Sequence, residues 1–189
     1  MKRWFVLPVL AVFAASLFGS VVAAQEVPEK PWALKVGIFR PDDGDWRDVS
    51  RSTWFAAGLD YTAQITPSGA EWVGTLEYLT GKNSNRMWTV QAIYKMRSYA
   101  EAEEGSRFYY GVGLGVYFSK VRGEVSEENT KKVVSDTKTH FGIPLLVGVD
   151  FGSNFFGELK YNLVFSENNP APKLDVRVGG FNVMFGYKF

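Results

Sequence analysis

Hydrophobic and polar residues alternate with a period of two along most of this chain, and the clearest instance is its last stretch. From Gly179 to Phe189, the residues Phe181, Val183, Phe185, Tyr187 and Phe189 fall on one side of an extended strand. Gly180, Asn182, Met184, Gly186 and Lys188 fall on the other. The pattern recurs upstream. Trp32–Arg40 sets Trp32, Leu34, Val36 and Ile38 against Ala33, Lys35, Gly37 and Phe39. Thr53–Ile65 sets Phe55, Ala57, Leu59, Tyr61 and Ala63 against Asp60, Thr62 and Gln64. Glu71–Thr80, Met87–Arg97, Phe108–Ser119, Thr139–Phe151 and Phe155–Phe165 alternate in the same way, which predicts eight strands in all.

The segments between them are rich in turn and loop residues. Thr66-Pro67-Ser68-Gly69, Ser98–Ser106 and Gly152-Ser153-Asn154 form one set of connections. The other set is 41–52, the short Gly81–Asn85, the charged stretch 120–138 and 166–176. The stretch 120–138 has no aromatic residue and reads as a solvated loop. An even number of strands, with mostly short connections on one side and mostly longer ones on the other, is the layout of an all-β, antiparallel up-and-down barrel. Both ends of residues 25–189 then lie at the rim of the short turns.

Alternation does not say which face of such a barrel points inward. A lipocalin-like barrel, apolar inside and polar outside, is the soluble rival. Three features favour the opposite sense. Aromatic residues gather near the strand ends, with Trp32, Trp72, Phe108, Phe151, Phe155, Tyr187 and Phe189 toward one rim and Phe55, Trp88, Phe118, Phe141 and Phe165 toward the other. Two aromatic belts with aliphatic residues between them suit a bilayer with two interfaces. The polar face carries Lys35, Asp60, Glu77, Lys95, Arg97, Asp150, Glu158, Lys160 and Lys188, a near-balanced set that can pair across a narrow lumen. Gly111, Gly113 and Gly115 share that face, where an eight-stranded interior has little room.

Composition adds the compartment. A net charge of +1, with charged residues at 22%, gives no footprint for nucleic acid. Cysteine is absent, which excludes both a disulfide framework and a lipoprotein anchor. Lys2 and Arg3, the apolar run Trp4–Phe18 and the small residues Val21–Ala24 have the three parts of a secretory signal. The expected division is therefore a cleaved signal peptide over 1–24 and a single barrel domain over 25–189.

Taken together, the segments resemble the small bacterial outer-membrane β-barrels of the OmpA/OmpX type across the whole of 25–189. The ending on Phe189 is similar to theirs, in which the last residue is typically Phe and is read by the barrel-insertion machinery. The resemblance implies an outer-membrane location in a Gram-negative envelope and both ends of the domain in the periplasm. Outer-membrane lipid and lipopolysaccharide are the implied partners, and loops 41–52, 120–138 and 166–176 face outward toward any extracellular ligand.

Few residues carry candidate chemistry. His140 is the single histidine, with Ser119 inward at the same end of the preceding strand. That pair invites comparison with the outer-membrane lipid A deacylases, eight-stranded barrels with a Ser-His-acid arrangement. Those enzymes place the histidine two residues before the serine, whereas Gly142 stands at that place here. Asp42, Asp43 and Asp45 are the candidates for a divalent cation, although they lack the spacing of a calcium loop. No cofactor motif is present. The sequence thus predicts an outer-membrane barrel plugged by its own side chains, with a structural or surface-interaction role. The alternatives are a narrow channel or hydrophobic-ligand conduit, and a lipid A-modifying enzyme.

Overall fold

In the computed structural model the described residues are 28–44, 47, 52–82, 85–97, 106–127, 130–165 and 178–189. The expected signal peptide over 1–24, the Asp45 position, the turn after Arg97 and the loop 166–176 lie outside them. Eight strands run β1 (Trp32–Pro41), β2 (Trp54–Ile65), β3 (Glu71–Thr80), β4 (Arg86–Arg97), β5 (Ser106–Glu127), β6 (Thr130–Phe151), β7 (Phe155–Phe165) and β8 (Gly180–Lys188). Each pairs antiparallel with the next, and β8 pairs back onto β1 to close the barrel. Closure is completed by Phe189, whose N–H donates to the Trp32 carbonyl at 2.9 Å while the Trp32 N–H returns to Phe189 O at 3.4 Å.

Side-chain direction follows the alternation, with the apolar face outside. Leu34, Val36, Ile38, Phe55, Leu76, Trp88, Leu114, Phe141, Val147, Leu159, Val183 and Phe185 are all exposed on the outer wall, while Lys35, Asp60, Glu77, Glu158 and Lys160 are buried inside it. A soluble barrel has the reverse arrangement. Among the described residues no helix is long and apolar enough to cross a membrane.

The stretch 120–138 departs from the expectation of a loop. β5 continues to Glu127 and β6 begins at Thr130, so Val121↔Asp136 through Glu127↔Thr130 are paired as a two-stranded ribbon beyond the barrel wall. The reason lies in what a free ribbon requires. A ribbon paired only with itself need not keep one apolar face, and the sequence of 121–136 lacks the alternation that marks a barrel wall. Its β-branched residues, Val121, Val125, Thr130, Val133 and Val134, are the signal that remains.

Two irregularities mark the wall. Between β2 and β3 the register shifts at Thr62/Gln64, a bulge near the terminal rim. Between β5 and β6 the pairing passes from Val112↔Leu145 to Gly115↔Gly142 without a pair at Pro144, which has no N–H to give the ladder. The tight turn at 66–70 is closed by the Gly69 N–H to the Thr66 carbonyl at 2.8 Å, with Gly69 at φ 79°, a conformation that favours glycine.

Candidate functional site

The interior of the barrel is stacked in layers. Toward the rim opposite the termini lies an apolar layer of Phe39, Trp54, Ala56, Leu79, Met87, Val178 and Met184, with Tyr117 beneath it. Phe39 and Trp54 meet edge-on at 5.8 Å. Parity places Phe39, Leu79, Met87 and Met184 on the inward side, but only the closed register shows that they meet and form a plug.

Below this plug lies a polar and charged layer drawn from six strands. Lys35 on β1 places its Nζ 2.9 Å from Asp60, 2.9 Å from Glu77 and 3.3 Å from Glu158, with its side chain wholly enclosed. Lys95 reaches Asp60 at 3.4 Å and Glu158 at 3.1 Å. Lys160 pairs with Glu77 and donates to the side-chain Oε1 of Gln91 at 3.0 Å. Asn182 donates to Glu77 at 3.3 Å, and Thr75 to Asp60 at 2.8 Å. Above them the Tyr117 hydroxyl donates to Asn162 at 2.9 Å. Three bases therefore face three acids, with the Lys35, Glu77, Glu158 and Lys160 side chains wholly enclosed and Lys95 and Asp60 reaching toward the mouth, and with further hydrogen bonds at their periphery. Charges buried in such a space are retained only when paired and hydrogen-bonded in this way.

Nearest the termini a second apolar group, Ala33, Ile93, Tyr109, Leu146 and Phe156, underlies the charged layer. Lys95 lies 5.2 Å from the centre of the Tyr109 ring and 5.8 Å from that of Phe156. At the mouth itself Arg97 pairs with Glu71 and lies 3.8 Å from Asp150, which accepts from Lys188 at 2.6 Å. A cavity of about 30 Å³ opens there among Asp60, Lys95, Arg97, Asp150 and Lys188. It has room for one or two waters. The nine charged residues expected on the lumenal face thus grade from an enclosed centre of Lys35, Glu77, Glu158 and Lys160, through Asp60 and Lys95, to a wetter ring at the mouth.

Small residues make this packing possible. A Cβ at Gly148 would sit 2.2 Å from the Tyr109 ring, and one at Gly186 2.2 Å from the Phe156 ring. Tyr117 likewise lies over Gly115 and Gly142, where a Cβ would come within 3.0 Å and 2.9 Å of its ring.

Ser119 and His140 are both buried on the lumenal side, on adjacent strands whose register pairs Ser119 with Lys138 and Tyr117 with His140. The Ser119 hydroxyl donates to the Lys138 carbonyl at 3.5 Å. Glu158 is opposite Gly148, eight residues along β6 from His140 and so about 26 Å away along the strand at ~3.3 Å per residue. Its carboxylate is already shared by Lys35 and Lys95. The geometry therefore holds Ser119 and His140 away from the outer wall and from that acid.

Asp42 is engaged in the wall: its carboxylate accepts from the Tyr161 hydroxyl at 3.0 Å, and its N–H donates to the Gly179 carbonyl at 3.1 Å. The Asp43 carbonyl accepts from the Arg47 backbone and side chain, both at 3.3 Å. Among the described residues no group of three or more His, Asp or Glu side chains is placed to hold a metal ion.

No protein-family model matches the chain. No curated protein sequence matches it either. Among solved structures it is similar to neisserial surface protein A (TM-score 0.53, 12% identity, covering 84% of this chain and 97% of that one). It is also similar to the N-terminal β-barrel domain of Pseudomonas aeruginosa OprF (0.47, 12%, 85% and 98%). A third similar structure is the Yersinia pestis outer membrane protein Ail in a phospholipid bilayer nanodisc (0.42, 16%, 85% and 100%). The architecture is that of the small eight-stranded outer-membrane barrels. At such identities the likeness to the neisserial protein is one of fold.

Proposed function

We propose that the chain is an integral outer-membrane barrel, exported by a signal peptide over residues 1–24, with both ends of the domain in the periplasm and a closed lumen. Its role is structural and interactive: it anchors in lipid and presents 41–52, the ribbon spanning 120–138 and 166–176 to the exterior. Outer-membrane lipid, lipopolysaccharide and the insertion machinery, the last through Phe189, are its partners.

One observation carries this reading: apolar side chains cover the outer wall while a charge-balanced, solvent-excluded cluster fills the middle of the lumen. An open channel needs a continuous wet path, and the paired Lys35, Glu77 and Lys160 lie across it. The inward position of Ser119 and His140 favours a non-catalytic role, because a lipid substrate lies outside the wall.

Two measurements test the proposal. Membrane fractionation with heat-modifiable gel migration should place a folded barrel in the outer membrane. A protein that stays soluble without detergent overturns the location. Reconstitution into planar bilayers should give no steady conductance, and a persistent open level would replace the closed lumen with a channel.

A further inference from the structure

The outer wall at the rim opposite the termini is electrically uneven. Met87 and Ser119 are buried toward the lumen, so their chain neighbours Arg86 and Lys120 project outward. The two are direct register partners across β4 and β5. Side chains directly opposite on one face of an antiparallel pair have Cβ atoms ~4.5–5.5 Å apart, and like charges so placed repel. Among the described residues neither makes an ion pair. A third cation, Lys82, is exposed in the short turn above, across which the Gly81 N–H donates to Asn85 O at 2.9 Å.

The flanking positions are equally specific. Register places Thr80 beside Arg86 and Thr137 beside Lys120, with outward hydroxyl-bearing residues on both sides of the pair. One row lower, Trp88 is paired with Phe118, and Tyr78 packs on Trp88 with ring centres 4.5 Å apart. Aromatic side chains at this height mark the level where acyl chains give way to headgroups. The β1 corner of the same rim differs, since Arg40 is followed by Asp42 and Asp43.

We infer that Arg86 and Lys120, with Lys82, form a binding site on the outer wall for the phosphate of a phosphorylated glycolipid in the outer leaflet. This rests on the outer-membrane reading above. A doubly charged phosphate between two cations converts their repulsion into paired charge-assisted hydrogen bonds, for which the guanidinium fork is well shaped. The threonines supply further donors at the sides, and the Tyr78–Trp88–Phe118 shelf receives the upper part of the acyl chains. A soluble anion satisfies the charges but not the shelf, so the lipid is the favoured occupant.

The test uses the full-length barrel folded in detergent, with folding verified by heat-modifiable migration. Wild type, Arg86→Gln/Lys120→Gln and, as a control at the other corner, Arg40→Gln are titrated with bisphosphorylated lipid A. Bound lipid is read by native mass spectrometry. Wild type and Arg40→Gln should bind alike, and the double variant at least tenfold more weakly. Dephosphorylated lipid A should bind wild type no better than lipid A binds the double variant, and millimolar inorganic phosphate should not displace lipid A. Equal binding by the double variant, or equal binding of the dephosphorylated lipid, overturns the site. Displacement by inorganic phosphate at comparable concentration overturns the lipid as its occupant. Failure of the underlying reading shows separately, as a protein that folds and stays soluble without detergent.

Discussion

Replacing Lys35 with Met tests the central cluster most directly. Lys35 is enclosed and serves Asp60, Glu77 and Glu158 at once, at 2.9, 2.9 and 3.3 Å. Lys35→Met keeps an unbranched side chain, one atom shorter, but removes its charge, so three buried acids then share Lys95 and Lys160. Breaking a buried ion pair by removing one partner costs about 3–5 kcal/mol, mainly because the remaining charge is left uncompensated. With a urea dependence of ~2 kcal/mol per molar, the unfolding midpoint should fall by about 2 M. The assay is urea unfolding from lipid vesicles, followed by tryptophan fluorescence and gel migration. Adding Glu158→Gln to Lys35→Met restores two acids against two bases, since Asp60 and Glu77 then face Lys95 and Lys160. The double variant should recover at least half of the lost stability. A loss below ~1 kcal/mol for the single variant, or a double variant worse than the single, would refute the reasoning that charge balance holds the cluster together.

Three other outcomes are expected. Gly148→Ala forces the Tyr109 ring, 2.2 Å from the new Cβ, to move, and should cost about 1–3 kcal/mol in the same assay. Adding Tyr109→Leu should lessen that cost, and strict additivity would count against the clash. Deleting Phe189 removes its two backbone hydrogen bonds with Trp32, about 1–3 kcal/mol at 0.5–1.5 kcal/mol each, while cellular insertion, measured by outer-membrane yield, should fall much further. Normal yield would sink its role as an insertion signal. Replacing 121–136 with a short turn should leave gel migration and the unfolding midpoint unchanged within ~0.5 M, because the ribbon pairs only with itself beyond Lys120. A large destabilisation would show that the ribbon supports the wall.

The strand faces are legible in the sequence because a barrel with unlike surroundings inside and out imposes a period of two on every strand. Phe181 to Phe189 and Phe108 to Phe118 show this most clearly. Height along the barrel axis is a different matter. Parity puts Lys35, Asp60, Glu77 and Glu158 on one face, but only the register of closure brings them within ion-pair distance of one another. The same limit hides the plug of Phe39, Trp54, Leu79 and Met87, since an apolar residue on an otherwise polar face carries no sign of its partners. The ribbon beyond Ser119 is missed for the opposite reason: outside the wall there is no apolar environment to impose a pattern.

The seam between β1 and β8 has a consequence for assembly. Every other pairing joins strands that are neighbours in the chain, and each can form as soon as its hairpin is made. The seam joins Ala33 to Lys188 and Pro41 to Gly180, so it pairs almost the two ends of the described chain. Contacts of such sequence separation form late. Until Trp32 meets Phe189, the growing sheet carries two open edges of unpaired backbone, a state prone to pairing with other chains and costly in lipid. Pairing along the seam removes both edges at once, and Trp32 with Phe189 is part of that pairing.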